Sequence, residues 1–593
     1  MIYAGLIHFN DARDRACELE GALASYTQTS PTIVTKSSLT LCYGKLSNTQ
    51  DMDEVWENAS SLVLGRIFDK MNACSFGKEN FKDLSTQTKE EALAKIWGKY
   101  IYIQAHDKNS QFDIVVDSTG QLPFFYAPLP NGNVLFASDI EILLKVLGQK
   151  PEMNWTYLCS YLVYGNSSAI QTPFQNIYEL PPACCLKISK NERKTEPFWN
   201  PLRSVRQEKD AVGVLQATLK AWIEPYKNIC VSLSGGLDSS SLVYCLKGIL
   251  KDNQTLSAVN YFHSQVKSSN ELVHARKVCQ ETGIDLVEID ASTPLPFDPS
   301  SQKQLLKPNK PFTGLISLKW FENTAAYLPS EGSCTFLSGH GSDHIFMRPP
   351  SKKSVSDYIL ERGFTGSQAQ LKNITQFYRD PIFSILKENA LSLSSYFLSR
   401  RLGKRDPKNM QDKSPDWIKR ALHQQSSPDF VHPMYEPLSK KILPGKYVQI
   451  DALYEGIASI HMEMDPIYPT SYPYLYEPVV EFALSFPTYD LFDKGYDRYP
   501  LRKAVSDHFK TETVWRRDKS RTTGIFQLGV KKNLEHVLEI CLEGQFVKQG
   551  LIDKEGLRQT ILLIGNGGID HLWSFMQLAS AEIFINTWEG NSF

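Results

Sequence analysis

The chain has 593 residues, room for roughly two to four domains of ordinary size and several buried cores. Lys and Arg number 64 against 65 Asp and Glu, and the net charge of −1 excludes both a polyanion-coating protein and an acidic disordered chain. Hydrophobic residues at 42% and charged residues at 22% are soluble-protein values, and no apolar run approaches the ~18 residues of a membrane span.

The opening residues 1–11 meet charge too soon for a signal peptide. Residues up to about 205 read as β-rich. Ile101-Tyr-Ile-Gln-Ala105 alternates with the period of a half-buried strand, and Asp113-Ile-Val-Val-Asp117 is a short buried one. Ser118-Thr-Gly-Gln-Leu-Pro123 turns the chain into a strand starting at Phe124-Phe-Tyr126. Asn131-Gly-Asn133 is a hairpin signal ahead of Val134-Leu-Phe-Ala137. Ser138 and Asp139 are placed to cap a helix through Ile140, Leu143, Leu144 and Leu147. A polar stretch at 200–210, containing Pro201, is the expected linker between domains at 1–205 and 206–593.

Beyond the linker, β and α patterns alternate, which predicts a parallel sheet. Strands are expected at 228–233, 256–262, 286–289 and 334–337. One helix runs through Leu242, Val243, Leu246, Ile249 and Leu250, and another over 271–283 with Gly283 as its C-cap. Residues 350–460 read as mostly helical. The 11 cysteines include no C-x-x-C spacing, and Cys184 and Cys185 are adjacent. That excludes a zinc ribbon, argues against a disulfide framework and predicts reduced thiols in a cytoplasmic setting, with no nucleic-acid or membrane partner. Residues 498–533 carry ten basic and three acidic side chains, and residues 400–420 carry eight and three. Each reads as a solvated face or as a phosphate or anionic-peptide contact.

Three motifs carry chemistry. Ser234-Gly-Gly-Leu-Asp-Ser-Ser240 follows a strand and opens a helix. Gly235 and Gly236 permit a tight bend that presents N–H groups to an anion, the helix N-terminus adds positive charge, and Ser234, Ser239 and Ser240 add hydroxyl donors. Asp238 is unfavourable beside a bare phosphate, so its place implies a divalent cation between the two. The Lys-Ser/Thr ending of a Walker A loop is absent. Ser338-Gly-His-Gly-Ser-Asp-His344 follows a second strand end, where ligands of a doubly wound sheet collect. Asp343 can share a magnesium ion with Asp238, and His340 is a residue type suited to removing a proton from an amine. Trp515-Arg-Arg-Asp-Lys-Ser-Arg521 offers cations for charge developing on an ATP α-phosphate.

The first of these strings resembles the PP-loop of ATP pyrophosphatases, which split ATP to AMP and pyrophosphate. Together the motifs resemble the asparagine synthetase family. Tyr472-Pro-Tyr-Leu-Tyr-Glu-Pro-Val-Val-Glu-Phe-Ala-Leu-Ser-Phe-Pro487 is similar to its V-P-F-L-D…E-F-A-L-S-L-P segment, and Lys519 falls where its catalytic lysine lies. Asp117-Ser-Thr-Gly-Gln-Leu-Pro-Phe-Phe-Tyr126 resembles R-D-x-x-G-x-x-P-L-Y-Y, and Phe136-Ala-Ser-Asp139 resembles F-A-S-E. The resemblance implies an α/β protein: an N-terminal Ntn-type αββα glutaminase-like sandwich, then a PP-loop ATP pyrophosphatase α/β domain with helical insertions. The first domain departs from the pattern. Ile2 stands where the nucleophilic cysteine is needed, and the glutamine-binding N-G-E-I-Y-N string appears as Leu64-Gly-Arg-Ile-Phe-Asp69. The arginine expected near the start of the Ser38-Leu-Thr-Leu-Cys42 strand is missing. A degenerate domain that releases no ammonia is therefore expected.

Gly339-His-Gly-Ser-Asp-His-Ile-Phe346 and Tyr496-Asp-Arg-Tyr-Pro-Leu-Arg502 look most like lasso peptide cyclases, macrolactam synthetases of ribosomal peptides. The resemblance implies ATP and Mg²⁺, with Asp238 and Asp343 on the metal. It places Leu233, Ser234, Gly235, Gly236, Asp238, Ser239, Ser240, Ser338 and Gly339 around the nucleotide and Asn260 toward the adenine. His340 and Lys519 would be catalytic. The substrate would be a precursor peptide, with a leader peptidase or leader-binding protein as partner. β-Lactam synthetases carry a tyrosine at the His340 position, supported by a glutamate. The position in register is near Pro469, and Glu463 and Asp465 are the nearest carboxylates. Tyr468, Tyr472, Tyr474 and Tyr476 either shape a peptide cavity or form core. A β-lactam-type small-molecule cyclase, an ammonia-dependent asparagine synthetase and a non-enzymatic scaffold are the alternatives.

Overall fold

Period-two alternation builds the first half. The computed structural model describes all residues except 10–15, 28, 37, 46–51, 59, 71–75, 77–80, 82–87, 107–109, 166–168, 202–209, 267–269, 300–306, 320–325, 328–331, 403–413, 428, 436–441, 464–469, 518–521 and 591–593. Its first elements are β1 (Ile2–Ile7), α1 (Ala16–Ala24), β2 (Thr32–Lys36), β3 (Leu39–Gly44), β4 (Glu54–Glu57), β5 (Ser61–Asp69), α2 (Lys89–Ala94), β6 (Ile96–His106), β7 (Gln111–Val116), β8 (Phe125–Pro128) and β9 (Val134–Ala137). Then come α3 (Ile140–Leu147), α4 (Trp155–Tyr164), β10 (Tyr178–Glu179), β11 (Cys184–Ser189) and β12 (Arg193–Pro197). Two six-stranded sheets result, in orders β10-β8-β9-β1-β3-β2 and β12-β11-β7-β6-β5-β4.

Along β1, Tyr3 and Ile7 point between the sheets, with Leu41, Leu64, Ile103, Ile114 and Leu186. Ile2, Ala4 and Leu6 point the other way, onto Leu19 and Leu23 of α1 and Leu143 of α3. On the far sheet, Val63, Tyr102, Val115 and Cys185 face outward under Ala92 and Leu93 of α2. These layers are helix, sheet, sheet, helix: the αββα sandwich. The capping expectation needs correction. Asp139 occupies the N-cap of α3 but its side chain makes no capping bond. The Ile140 N–H instead donates to Asn309 Oδ1 at 2.7 Å, and Asn309 Nδ2 donates to Asp139 Oδ1. A residue remote in sequence has taken the acceptor role.

The second half holds α5 (Ala211–Ile223), β13 (Asn228–Ser232), α6 (Leu237–Lys247), β14 (Thr255–Phe262), α7 (Leu272–Thr282), β15 (Asp285–Asp290), β16 (Cys334–Leu337) and α8 (Ser342–Ile345). The predominantly helical stretch is α9 (Ser354–Arg362), α10 (Ser367–Tyr378), α11 (Ile382–Leu402), α12 (Arg420–Gln425) and α13 (Pro444–Glu463). It is followed by β17 (Thr470–Ser471), α14 (Glu477–Leu484), α15 (Tyr499–Phe509), α16 (Thr523–Lys532), α17 (Leu534–Leu542), α18 (Gln545–Lys548), α19 (Lys554–Gly565) and α20 (Leu572–Glu589). The predicted parallel sheet is present, in order β15-β14-β13-β16-β17. The chain winds outward from β13 to β15, then crosses back to place β16 on the other side. The space beyond the carboxyl ends of β13 and β16 is thus a topological switch point, where a crevice forms. The expected linker falls largely on 202–209, outside the described residues. No disulfide joins the ten described cysteines. Among the described residues no helix is long and apolar enough to cross a membrane.

The two halves share cores. Phe68 and Trp97 of the sandwich stack at 4.5 Å and meet Trp222 and Tyr476 of the second half at 5.7 Å each. Arg66, from the altered glutamine-binding string, lies over the Trp222 ring at 4.5 Å and donates to the Trp222 carbonyl. Lys70 pairs with Glu477 and with Glu481. His432 is buried, stacks on Tyr454 and donates from Nε2 to the Pro182 carbonyl, while Nδ1 accepts from the Met434 N–H. Burial holds this imidazole neutral, lowering its pKa to about 4. The unfolded chain protonates His432 near the ordinary 6.5, so its contribution is fully present above that pH and is lost as pH falls toward 4. Urea titrations should show His432→Gln losing roughly 2 kcal/mol less stability than the parent chain between pH 7 and pH 5.

Candidate active site

The phosphate-type loop leaves β13 and enters α6. Gly235 adopts φ +72, and a Cβ there would stand 2.6 Å from Ala275 N, so glycine is required twice over. Gly236 is the N-cap of α6 and has no side chain to cap it, which leaves the helix N-terminus suited to an anion. The loop is held by its own serines. Ser239 Oγ accepts from Ser234 N–H at 3.2 Å, and Ser234 Oγ accepts from Gly236 N–H at 3.3 Å. Ser240 is 1% exposed, and its hydroxyl has no hydrogen-bond partner among the described residues. Asn260 is buried at the end of β14 and donates to the Leu233 carbonyl at 2.7 Å. It braces the strand end, and Leu233 itself is core.

The second loop leaves β16 and enters α8. Ser338 continues the pairing to β17, donating from its N–H to the Ser471 carbonyl. A Cβ on Gly339 would lie 2.9 Å from Ser239 N and 3.2 Å from Asp238 Cβ. The two predicted loops therefore touch, backbone to backbone, at the switch point. His340 Nε2 lies 3.0 Å from the Gly456 carbonyl of α13. A carbonyl only accepts, so Nε2 carries the hydrogen in neutral imidazole and Nδ1 holds the lone pair. The His340 ring lies 5.2 Å from His344 and edge-on to Tyr472 at 5.8 Å. The partner of His340 is thus a backbone carbonyl. The side chains of Glu463 and Asp465 lie outside the described residues.

A residue without a predicted role dominates the electrostatics. Arg498 Nη1 donates to both carboxylate oxygens of Asp238, at 2.5 and 2.6 Å. Arg498 is 1% exposed and is the N-cap residue of α15, at φ 50. Its Nε donates to Asp497, which also accepts from Arg502 and pairs with Arg348. Burial opposes the Arg498 charge, but Asp238, Asp497 and Asp343 together hold its pKa well above the ordinary arginine value. Burial likewise opposes the Asp497 charge, yet Arg498 and Arg502 keep its pKa below normal. Arg516 donates to the Gly235 carbonyl at 3.1 Å and pairs with Glu271. Of the described basic residues in the predicted stretch, Arg498 and Arg502 are buried and Arg516 is half-buried against the first loop, while Lys503, Lys510, Arg517, Lys531 and Lys532 are exposed, so the solvated reading holds for most of the stretch and the inward one for these three arginines. Lys519 lies outside the described residues. Tyr472, Tyr474 and Tyr476 are core at 2%, 0% and 1% exposure, so packing prevails over cavity shaping, and Tyr474 OH donates to the Asp238 carbonyl. Tyr468 lies outside the described residues.

Asp238 and Asp343 are hard-oxygen donors of the kind Mg²⁺ takes, both within reach of one cation, Arg498. With a helix N-terminus that has no side-chain cap and the unpartnered Ser240 hydroxyl beside them, the residues fit a metal–triphosphate complex.

Residues 213–588 match the model of the asparagine synthase family, which is more than half of the chain. The chain belongs to the asparagine synthase family. Residues 81–199 match a glutamine amidotransferase domain. The microcin J25-processing protein McjC of Escherichia coli is 23% identical over 321 residues, covering 53% of this chain and 52% of that protein. The chain thus spans about half the length of this curated relative. Two solved structures show weak likeness. The allosteric regulatory enzyme of purine biosynthesis has 10% identity and a TM-score of 0.22 over 50% of this chain and 82% of that one. The glutamine phosphoribosylpyrophosphate amidotransferase from B. subtilis, complexed with ADP and GMP, has 10% identity and a TM-score of 0.21 over 58% and 77%.

Within the synthase-family half, the loop contact leaves no room for a methyl group at position 339. Gly339→Ala should force the two loops apart, weakening binding of a non-hydrolysable ATP analogue at least about tenfold by calorimetry, with circular dichroism unchanged.

Proposed function

We propose that the chain is an ATP- and Mg²⁺-dependent amide ligase that closes a macrolactam within a ribosomal precursor peptide, forming a lasso ring. The observation that carries the ATP part is the backbone contact between the Ser234–Ser240 and Ser338–His344 loops at the switch point. The likeness to a microcin J25-processing protein supports a peptide as the substrate.

In this reading, Ser234, Gly235, Gly236, Ser239 and Ser240 cradle the phosphates, and Asp238 and Asp343 hold Mg²⁺. The metal, when bound, supplies neutralisation of phosphate charge. Leu233, Ser338 and Gly339 bound the nucleotide, and Asn260 stiffens the strand end beneath it. A side-chain carboxylate of the peptide attacks the α-phosphorus of ATP, and pyrophosphate leaves. The peptide's N-terminal amine then attacks the activated carbonyl, AMP leaves, and the amine proton passes to His340 Nδ1. The Gly456 carbonyl keeps that nitrogen unprotonated and oriented by holding the Nε2 hydrogen. Lys519 stabilises the developing negative charge. Holding amine and carbonyl together makes ring closure effectively unimolecular.

The sandwich of residues 1–205 acts as a scaffold, with residues 206–593 carrying the chemistry in the cytoplasm. The altered string at Leu64–Asp69 supports this division, since Arg66 is turned into the junction. A leader peptidase or leader-binding protein is the expected partner.

Incubation with ATP, Mg²⁺ and a precursor peptide should give a product lighter by one water in mass spectrometry, with release of pyrophosphate. Asp238→Ala and Lys519→Ala should abolish both, and His340→Asn should slow them by about 10²–10⁴-fold while ATP still binds. Cysteine substitutions should leave the rate unchanged. Cyclisation that survives both Asp238→Ala and Lys519→Ala refutes the assignment.

A further inference from the structure

The Asp238–Arg498 pair does not use the arginine's full fork. One nitrogen, Nη1, serves both carboxylate oxygens, and among the described residues Nη2 makes no hydrogen bond. The arginine is anchored elsewhere. Its Nε is held by Asp497, and Asp497 is fixed in turn by Arg502 at 2.9 Å and Arg348 at 3.6 Å. Asp238 is fixed from behind by Tyr474 on its carbonyl. Two rigidly supported groups therefore meet through a contact that can be exchanged without moving either backbone.

Charge counting shows what can exchange with it. Asp238, Asp343 and Asp497 supply three negative charges, and Arg348, Arg498 and Arg502 supply three positive ones. The cluster is neutral as it stands. A bare divalent cation would add two uncompensated charges and break two charge-assisted hydrogen bonds. A cation arriving with a triphosphate brings its own negative charge, and that charge offers acceptors to the displaced guanidinium.

We propose that Arg498 is a resident counter-ion of Asp238 which the metal–triphosphate complex displaces, and that its released fork then holds the pyrophosphate portion of the nucleotide. The idea rests on the ATP-dependent reading above and deepens it. Arg498 keeps the carboxylate closed to metal alone and makes metal and nucleotide bind as one ligand. It is also a direct contact of the leaving group, placed by its Asp497 anchor.

The test uses the full chain and Mn²⁺ as the metal, followed by electron paramagnetic resonance of the unbound ion. Without nucleotide, Arg498→Gln should bind Mn²⁺ at least about tenfold more tightly than the parent chain, because one negative charge is now uncompensated. Adding Asp238→Asn to Arg498→Gln should remove that gain. Calorimetry with magnesium pyrophosphate should show the opposite trend, with Arg498→Gln binding at least about tenfold more weakly. Arg498→Lys keeps the charge but not the fork, and should fall between the two in both measurements. If circular dichroism shows Arg498→Gln unfolded, the comparison of the parent with Arg498→Lys decides. Unchanged Mn²⁺ affinity, or unchanged pyrophosphate affinity, overturns the inference while leaving the ligase reading intact. Failure of the parent chain to bind magnesium ATP at all overturns both.

Discussion

A carboxylate placed among other carboxylates in a half-buried crevice is an electrostatic problem before any ligand arrives. Asp238 sits at the start of α6, where N–H groups favour negative charge, but it also lies in a crevice shared with Asp343 and Asp497. Left alone, these carboxylates would repel one another in a poorly solvated space. Arg498 answers the repulsion, and the surroundings are arranged to keep it there. Its backbone takes up a left-handed conformation that a non-glycine residue adopts at a cost, its Nε is pinned, and Arg348 and Arg502 balance the remaining charge. The crevice is thus pre-organised around a cation.

The geometry of the sheet explains why these groups converge. Starting in the middle at β13 and winding both ways leaves one place where neighbouring strands send their following loops apart. Both glycine-bearing loops exit there, and Gly339 lets them close to contact. The base candidate is supplied differently. His340 is oriented by the Gly456 carbonyl of α13, within the helical stretch that follows the loops. Strand ends therefore position the loops proposed to bind phosphate, and an added helix orients the proposed proton acceptor.

The two loops were legible in the sequence because their requirements are local. Paired glycines, a helix start and serine hydroxyls within seven residues mark a tight turn of the kind suited to anions, and Gly235 at φ +72 makes that turn. The strands of both halves were readable for the same reason, through alternation in β6 and short apolar runs in β7, β13 and β16. Arg498 appeared in the sequence only as part of a resemblance string. Its partner lies 260 positions away, and nothing about its neighbours indicates a buried side chain. The Gly456 contact was invisible because a backbone acceptor has no residue-type signature. The tyrosines at 472, 474 and 476 could be read either way, and their surroundings decided for core. Asn309 likewise took over a cap from Asp139 through a tertiary contact that sequence spacing cannot encode.

The aromatic stack formed by Phe68, Trp97, Trp222 and Tyr476 sets different tolerances for change across the first half. Surface positions of the sandwich are under no packing obligation and are free to vary. The ring-on-ring joint is not, since each of its members is filler for the neighbouring half. Single substitutions on that surface leave the joint intact, whereas deleting the sandwich outright would strip the synthase-family half of part of its own interior. Whatever chemistry the sandwich has or lacks, its presence is then a mechanical necessity for the half it adjoins.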